Sequence, residues 1–128
     1  MADIDDVQSV FQAAVNAFND HELTNLMSYM DQEATVYSIS GKLAYHPKHA
    51  VRAYFKEQFA DNPNFQPNTM TPNPQFNPTG DPVSATISDG AIWTDTNHTY
   101  KLNYTFTLVK RGAGSNTPVW LFSVMWGS

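Results

Sequence analysis

The sequence predicts an α+β domain, with three helices on one side of a mixed, mostly antiparallel sheet. Apolar residues recur at helical spacing three times in the first 60 positions, interrupted by one β-rich run. Strict alternation governs the C-terminal third, where YKLNYTFTLVKR and VWLFSVMW read as two long strands. The order helix, helix, strand, helix, then four strands segregates the helices to one side of the sheet. At 128 residues and 41% hydrophobic content the chain suits one domain, residues 1–128, with one core.

Asp3 or Asp5 can cap a first helix carrying Ile4, Val7, Val10, Phe11, Ala14, Val15 and Phe18 in one wide apolar stripe. Asp20-His21 breaks this pattern, and His21 reads as a boundary residue. Leu23, Leu26, Met27 and Met30 restart the spacing in a shorter second helix. The run ATVYSIS, residues 34–40, is β-rich and ends at Gly41-Lys42, after which Leu43-Ala44-Tyr45 can pair back. Proline suits a helix's first turn, so His46-Pro47 opens a third helix with Val51, Tyr54, Phe55, Gln58 and Phe59 at helical spacing. His46 and His49 lack a carboxylate to complete a metal set, and no metal site is expected.

Six of the eight prolines lie in Asp61–Pro82, interleaved with asparagines. Proline cannot donate to a sheet ladder, so this segment is expected to be irregular and to shield a pocket mouth through Phe65, Met70 and Phe76. Val83, Ala85 and Ile87 alternate next. Asp89-Gly90 is the strongest short hairpin signal in the chain, and Ala91–Thr96 is expected to return from it. In the last two runs Leu102, Tyr104, Phe106 and Leu108 share one face, and Trp120, Phe122, Val124 and Trp126 share another. Joined by GAGSNTP, they form a long hairpin with an aromatic wall, which the N-terminal helices must cover.

Lys+Arg 7 against Asp+Glu 12 gives a net charge of −5, which repels phosphate backbones and anionic membranes. No nucleic-acid or membrane partner is expected; a small hydrophobic molecule or a protein chain is. The absence of cysteine excludes disulfides, thiolate zinc sites and a cysteine nucleophile. MADIDDVQSV has neither a basic nor an apolar signal region, so a cytoplasmic location is expected.

The phrases NAFNDHELTNLMSYMDQEATVYSISG, HAVRAYFKEQF and YTFTLVKR, with Trp120 opening the last strand, are similar to the nuclear transport factor 2-like superfamily. The SnoaL-like and ketosteroid-isomerase-like branches resemble them most. The resemblance implies a curved sheet wrapped as a cone around the first helix, a pocket at its open end, and a homodimer formed through the sheet. It also implies where isomerase chemistry would sit. The carboxylate base falls at Ser38, the tyrosine donor at Ala14 and the acidic donor at or beside Phe106, so ketosteroid isomerase activity is not expected. The histidines that association domains carry on the last strand are replaced by Val124 and Trp126. The ligand-binding candidates are Phe18, Ser38, Tyr54, Phe55, Phe59, Trp93, Tyr104, Phe106, Phe122 and Trp126, with hydroxyls available from Tyr37, Tyr54 and Tyr104. Asp31, Glu33 and Asp95 are the nearest acids, none of them placed as catalytic. The leading expectation is a domain binding an uncharged aromatic or polycyclic molecule without a cofactor. The alternatives are a SnoaL-like cyclase or isomerase acting on a hydrophobic carbonyl substrate, and a non-catalytic association module.

Overall fold

A computed structural model describes residues 3–38, 42–80, 82–112 and 118–127. Helix α1 (Asp3–Asn19) buries Val7, Phe11, Ala14, Val15, Ala17 and Phe18, the predicted stripe, and its first turn holds Asp3, Asp5 and Asp6 at the positive end of the helix dipole. It stops in a Schellman motif. His21 takes the left-handed conformation, φ 57°, in the place glycine usually fills. Its N–H donates to the Phe18 carbonyl at 3.0 Å, and the Glu22 N–H to the Ala17 carbonyl at 2.9 Å. Helix α2 (Leu23–Ser28) is shorter than its apolar spacing suggested. Met30 leaves it to open strand β1 (Met30–Tyr37), because the Phe122 N–H captures the Tyr29 carbonyl at 2.8 Å and pulls the chain into the sheet.

Strand β2 (Ala44–Tyr45) pairs back on β1 as expected, and helix α3 (Lys48–Phe59) follows. Pro47 rather than His46 occupies the cap position of α3, and no side chain caps it. The proline-rich segment contributes two short strands, β3 (Asn64–Pro67) and β4 (Gln75–Asn77). The rest of the sheet is β5 (Ser84–Thr94), β6 (Thr99–Arg111) and β7 (Val119–Gly127). Strand order is β2-β1-β7-β6-β5-β3, with β4 also on β5. Among the described residues only the β1–β7 pair is parallel. The seven strands form a curled, unclosed sheet, and α1 lies in its concave face. Phe11 stacks on Tyr104 with ring centroids 5.8 Å apart, and Phe18 meets Trp93 at 5.3 Å. The N-terminus of α1 is tied to the far end of the hairpin, where Asp3 accepts from Lys110 Nζ at 3.0 Å and Trp120 Nε1 at 3.2 Å.

Three expectations are corrected. Asp89-Gly90 is not a turn: β5 runs through it, with Asp89 opposite Tyr104 and Gly90 opposite Asn103. The reversal comes at residues 95–98, where Asp95 Oδ1 accepts the N–H groups of Asn97 and His98, both at 2.9 Å. Secondly, β7 does not alternate throughout. Leu108 faces Phe122 while Thr107 faces Val124, so Ser123 is an extra residue in a β-bulge. Beyond it the buried position passes to Met125, while Val124 is half-buried and Trp126 exposed. The connecting residues 113–117 lie outside the described residues.

Thirdly, the proline-rich segment is not wholly irregular. It supplies edge strands on β5, where proline is tolerated, and α1 holds it by its backbone. Asn19 accepts the Phe65 N–H at 2.7 Å and donates to the Phe65 carbonyl at 2.8 Å. His21 Nε2 donates to the Pro63 carbonyl at 2.9 Å, and Gln8 to the Pro72 carbonyl at 3.1 Å. Phe76 packs on Trp120, ring centroids 5.9 Å apart, at the end of the sheet where Asp3 is anchored.

Candidate functional site

Between α1, α3 and the concave face lies a cavity of about 100 Å³. Helix α1 supplies Ala14, Val15 and Phe18 to its lining, and α3 supplies Tyr54 and Phe55. The sheet adds Val36, Trp93, Leu102, Tyr104, Phe106, Phe122 and Met125. Ala14 matters because it is small: one turn from Phe11 and from Phe18, it leaves room that a larger side chain would take. Tyr37 and Trp126 line the cavity yet stay 38% and 41% exposed, which places them at its mouth. No Lys, Arg, His, Asp or Glu is among the lining residues.

Of the lining residues that carry a polar group, Tyr104 is 1% exposed and its buried hydroxyl has no hydrogen-bond partner. Burial, and secondarily the negative charge of Asp89, raises its pKa well above that of an ordinary phenol, so the hydroxyl stays protonated and neutral. Tyr104 is wedged among rings: Phe106 at 4.6 Å, Phe65 at 5.6 Å and Phe11 at 5.8 Å. The Tyr54 phenol is pushed up to about 12, chiefly by burial and then by Tyr45 and Glu57. Both phenols are therefore uncharged at neutral pH.

Of the residues expected at a site, Phe18, Tyr54, Phe55, Trp93, Tyr104, Phe106, Phe122 and Trp126 line the cavity, and Ser38 and Phe59 do not. Ser38 sits past the end of β1, where its hydroxyl accepts the Leu43 N–H at 3.3 Å. The Phe59 ring backs Phe18 at 5.3 Å and His21 at 5.1 Å, one layer behind the wall. Leu26, Met30 and Met125 line the cavity without having been foreseen, and Phe65, expected at the pocket mouth, is part of the lining. Phe65 belonged to a segment read as loop, and Met125 comes inward only through the bulge. Among the acids, Asp31 accepts the Glu33 N–H at 3.1 Å within an irregular stretch of β1 and is not a lining residue. Outside the cavity, His46 bridges Thr35 Oγ1, 2.9 Å from its Nδ1, and Glu33, 3.5 Å from its Nε2, on an exposed surface. Among the described residues no group of three His, Cys, Asp or Glu side chains gathers as a metal site, and no helix is long and apolar enough to cross a membrane.

No protein-family model matches the chain, and none of the curated proteins matches it. Solved structures do. A protein with a cystatin-like fold from Caulobacter vibrioides superposes with a TM-score of 0.76 at 15% identity, over 97% of this chain and 87% of that one. An NTF-2 like protein of unknown function from Shewanella oneidensis MR-1 gives a TM-score of 0.71 at 13% identity, over 97% of each chain. SalBIII, an epoxide hydrolase/cyclase-like enzyme of pyran ring formation in the polyether salinomycin, gives 0.66 at 15% identity, over 99% of this chain and 92% of its own. With three helices, a curled unclosed sheet and α1 in its concave face, the chain has the cystatin-like α+β fold of the nuclear transport factor 2-like proteins.

Proposed function

We propose that this chain is a small-molecule-binding domain that takes an uncharged, apolar ligand into the concave face of its sheet. The observation that carries the reading is the carbon-lined cavity with a mouth between Tyr37 and Trp126. Burying about 150 Å² of apolar ligand surface at roughly 25 cal/mol/Å² supplies about 4 kcal/mol before the costs of association, which suits affinity of about millimolar or weaker. A polycyclic ligand does not fit a space of about 100 Å³, so the expected ligand is smaller than the aromatic pattern alone suggested. Titration of a fluorescent apolar probe tests the reading. Wild type should saturate, and Ala14→Phe, which fills the cavity from α1, should bind at least tenfold more weakly while keeping its circular dichroism spectrum. Equal binding by the two proteins would refute it.

The likeness to SalBIII favours a second reading, a cyclase or isomerase of a hydrophobic carbonyl substrate. That chemistry wants an acid or base beside the substrate. Asp89, opposite Tyr104 on β5, is the nearest candidate by register, yet its carboxylate accepts the Gly90 N–H at 2.8 Å and it is not among the lining residues. The binding reading is therefore preferred. A homodimer through the outer sheet face is also proposed, since Lys101, Asn103, Thr105, Thr107 and Val109 give β6 a mixed, weakly charged surface. Light scattering at micromolar concentration should give twice 14.3 kDa, and a clean monomer would refute the dimer.

A further inference from the structure

The lining also decides which part of a ligand enters the cavity, a point that rests on the binding reading above. A polar atom taken out of water needs a partner, and going without one is costly. The lining side chains offer few. They include no Lys, Arg, His, Asp, Glu, Asn, Gln, Ser or Thr, which leaves the hydroxyls of Tyr37, Tyr54 and Tyr104 and the N–H groups of Trp93 and Trp126. The Tyr104 hydroxyl has less than 1 Å² open to water, so a ligand atom does not reach it. Trp93 turns its N–H toward the Asp95 carboxylate, and the Tyr54 phenol is under the influence of Tyr45 and Glu57, none of them lining residues. Tyr37 and Trp126 remain, and both are exposed at the mouth.

We propose that the cavity takes the hydrocarbon end of a small uncharged amphiphile, such as a primary alcohol, and leaves its polar end in water at the mouth between Tyr37 and Trp126. The volume sets the length of the buried part. An engineered apolar cavity of about 150 Å³ holds one benzene, so a space of about 100 Å³ open at its mouth is filled by one ring or a chain of about six carbons. Anything longer protrudes. The lining sets the order of entry. Val15, Leu102, Phe122 and Met125 present only carbon or thioether sulfur, so a hydroxyl driven among them loses its water and gains no partner. The mouth suits the other end. Tyr and Trp each join an apolar ring to one polar edge, the character found where a surface passes from dry to wet.

The test uses two isomers, 1-hexanol and 3-hexanol, which carry one hydroxyl at the end or in the middle of the same chain. Each is titrated by NMR against wild type, Tyr54→Phe and Ala14→Phe. Wild type should bind 1-hexanol about fivefold or more tightly than 3-hexanol, whose hydroxyl must be dried or half its chain left outside. Tyr54→Phe should keep that ratio. Intermolecular NOEs should run from the terminal methyl of bound 1-hexanol to Val15, Leu102 or Met125, and from its carbinol methylene to the rings of Tyr37 or Trp126. Equal binding of the isomers overturns the proposal, and so do NOEs in the opposite sense. A ratio lost in Tyr54→Phe overturns it as well, because the hydroxyl is then held inside. In each of these cases, weaker binding of both alcohols to Ala14→Phe leaves the binding reading standing. If neither alcohol binds wild type, or Ala14→Phe binds both unchanged, the proposal and the binding reading fall together.

Discussion

Arg111 donates to both oxygens of Asp31, Nε to Oδ1 at 2.7 Å and Nη2 to Oδ2 at 2.9 Å, and so joins the end of β6 to the start of β1 across β7. Two parallel bonds of this kind fix geometry as well as charge. The two partners are unequal: Asp31 is 3% exposed, and Arg111 reaches it from the surface. Asp31 also accepts the Glu33 N–H, so one carboxylate organises both the irregular stretch of β1 and its link to β6.

A pH dependence follows from that pair. The hydrogen bonds from Arg111 hold the Asp31 carboxyl below the ordinary value of 3.8, against the opposing effect of burial. A carboxylate whose folded-state value is depressed contributes stability above its unfolded value, and that contribution is lost as pH falls through the folded one. Wild type should therefore unfold at higher urea than Arg111→Met at pH 7, and the gap should narrow as the pH drops below about 3.8. A gap independent of pH would mean that packing of the arginine stem, not the ion pair, carries the difference.

Tyr104→Phe should stabilise the protein in the absence of any ligand. The substitution deletes a buried hydroxyl that has no partner and keeps the ring contacts with Phe11, Phe65 and Phe106. Relief of that desolvation is worth about 1 kcal/mol. Urea unfolding measures it, and a loss of similar size would show that the hydroxyl is satisfied in solution.

Asn19 does for β3 what another strand would do, offering an acceptor and a donor to the backbone of Phe65. Asn19→Ala leaves both groups unpaired in a partly buried place and should cost about 1–3 kcal/mol. Hydrogen exchange localises the effect. The Phe65 amide should exchange faster, while amides of the β5–β6 ladder are expected to keep their relative protection.

Gly90 is tight against a side chain rather than against backbone. A Cβ there would lie 2.7 Å from Asn68 Nδ2, the end of a flexible group that can swing away. Gly90→Ala should therefore cost about 1 kcal/mol or less, and less still in an Asn68→Ala background, so the two substitutions should not be additive. Additive costs in denaturant melts would place the strain in the β5 backbone instead.

What the sequence alone determined is whatever one element's own periodicity encodes. The stripe of α1, the helical spacing of Val51, Tyr54 and Phe55 in α3, and the inward face of β6 through Leu102, Tyr104, Phe106 and Leu108 follow from which side of a single helix or strand is apolar. Most of the aromatic lining was legible for the same reason. Tertiary structure decided what depends on a partner strand. Asp89-Gly90 has the chemistry of a turn, but β5 pairs with β6 from Ser84↔Val109 to Thr94↔Thr99, and that continuous ladder outweighs a local preference. The Ser123 bulge exists only relative to β6, so no pattern within VWLFSVMW foretells that Met125 replaces Val124 inside. Phe65 reaches the cavity because the side chain of Asn19, 46 residues away, occupies its outward backbone groups while β5 pairs its strand. Periodicity fixes a face within an element; register, bulges and edge contacts are properties of pairs, and in this protein the pairs decide which side chains meet at the cavity.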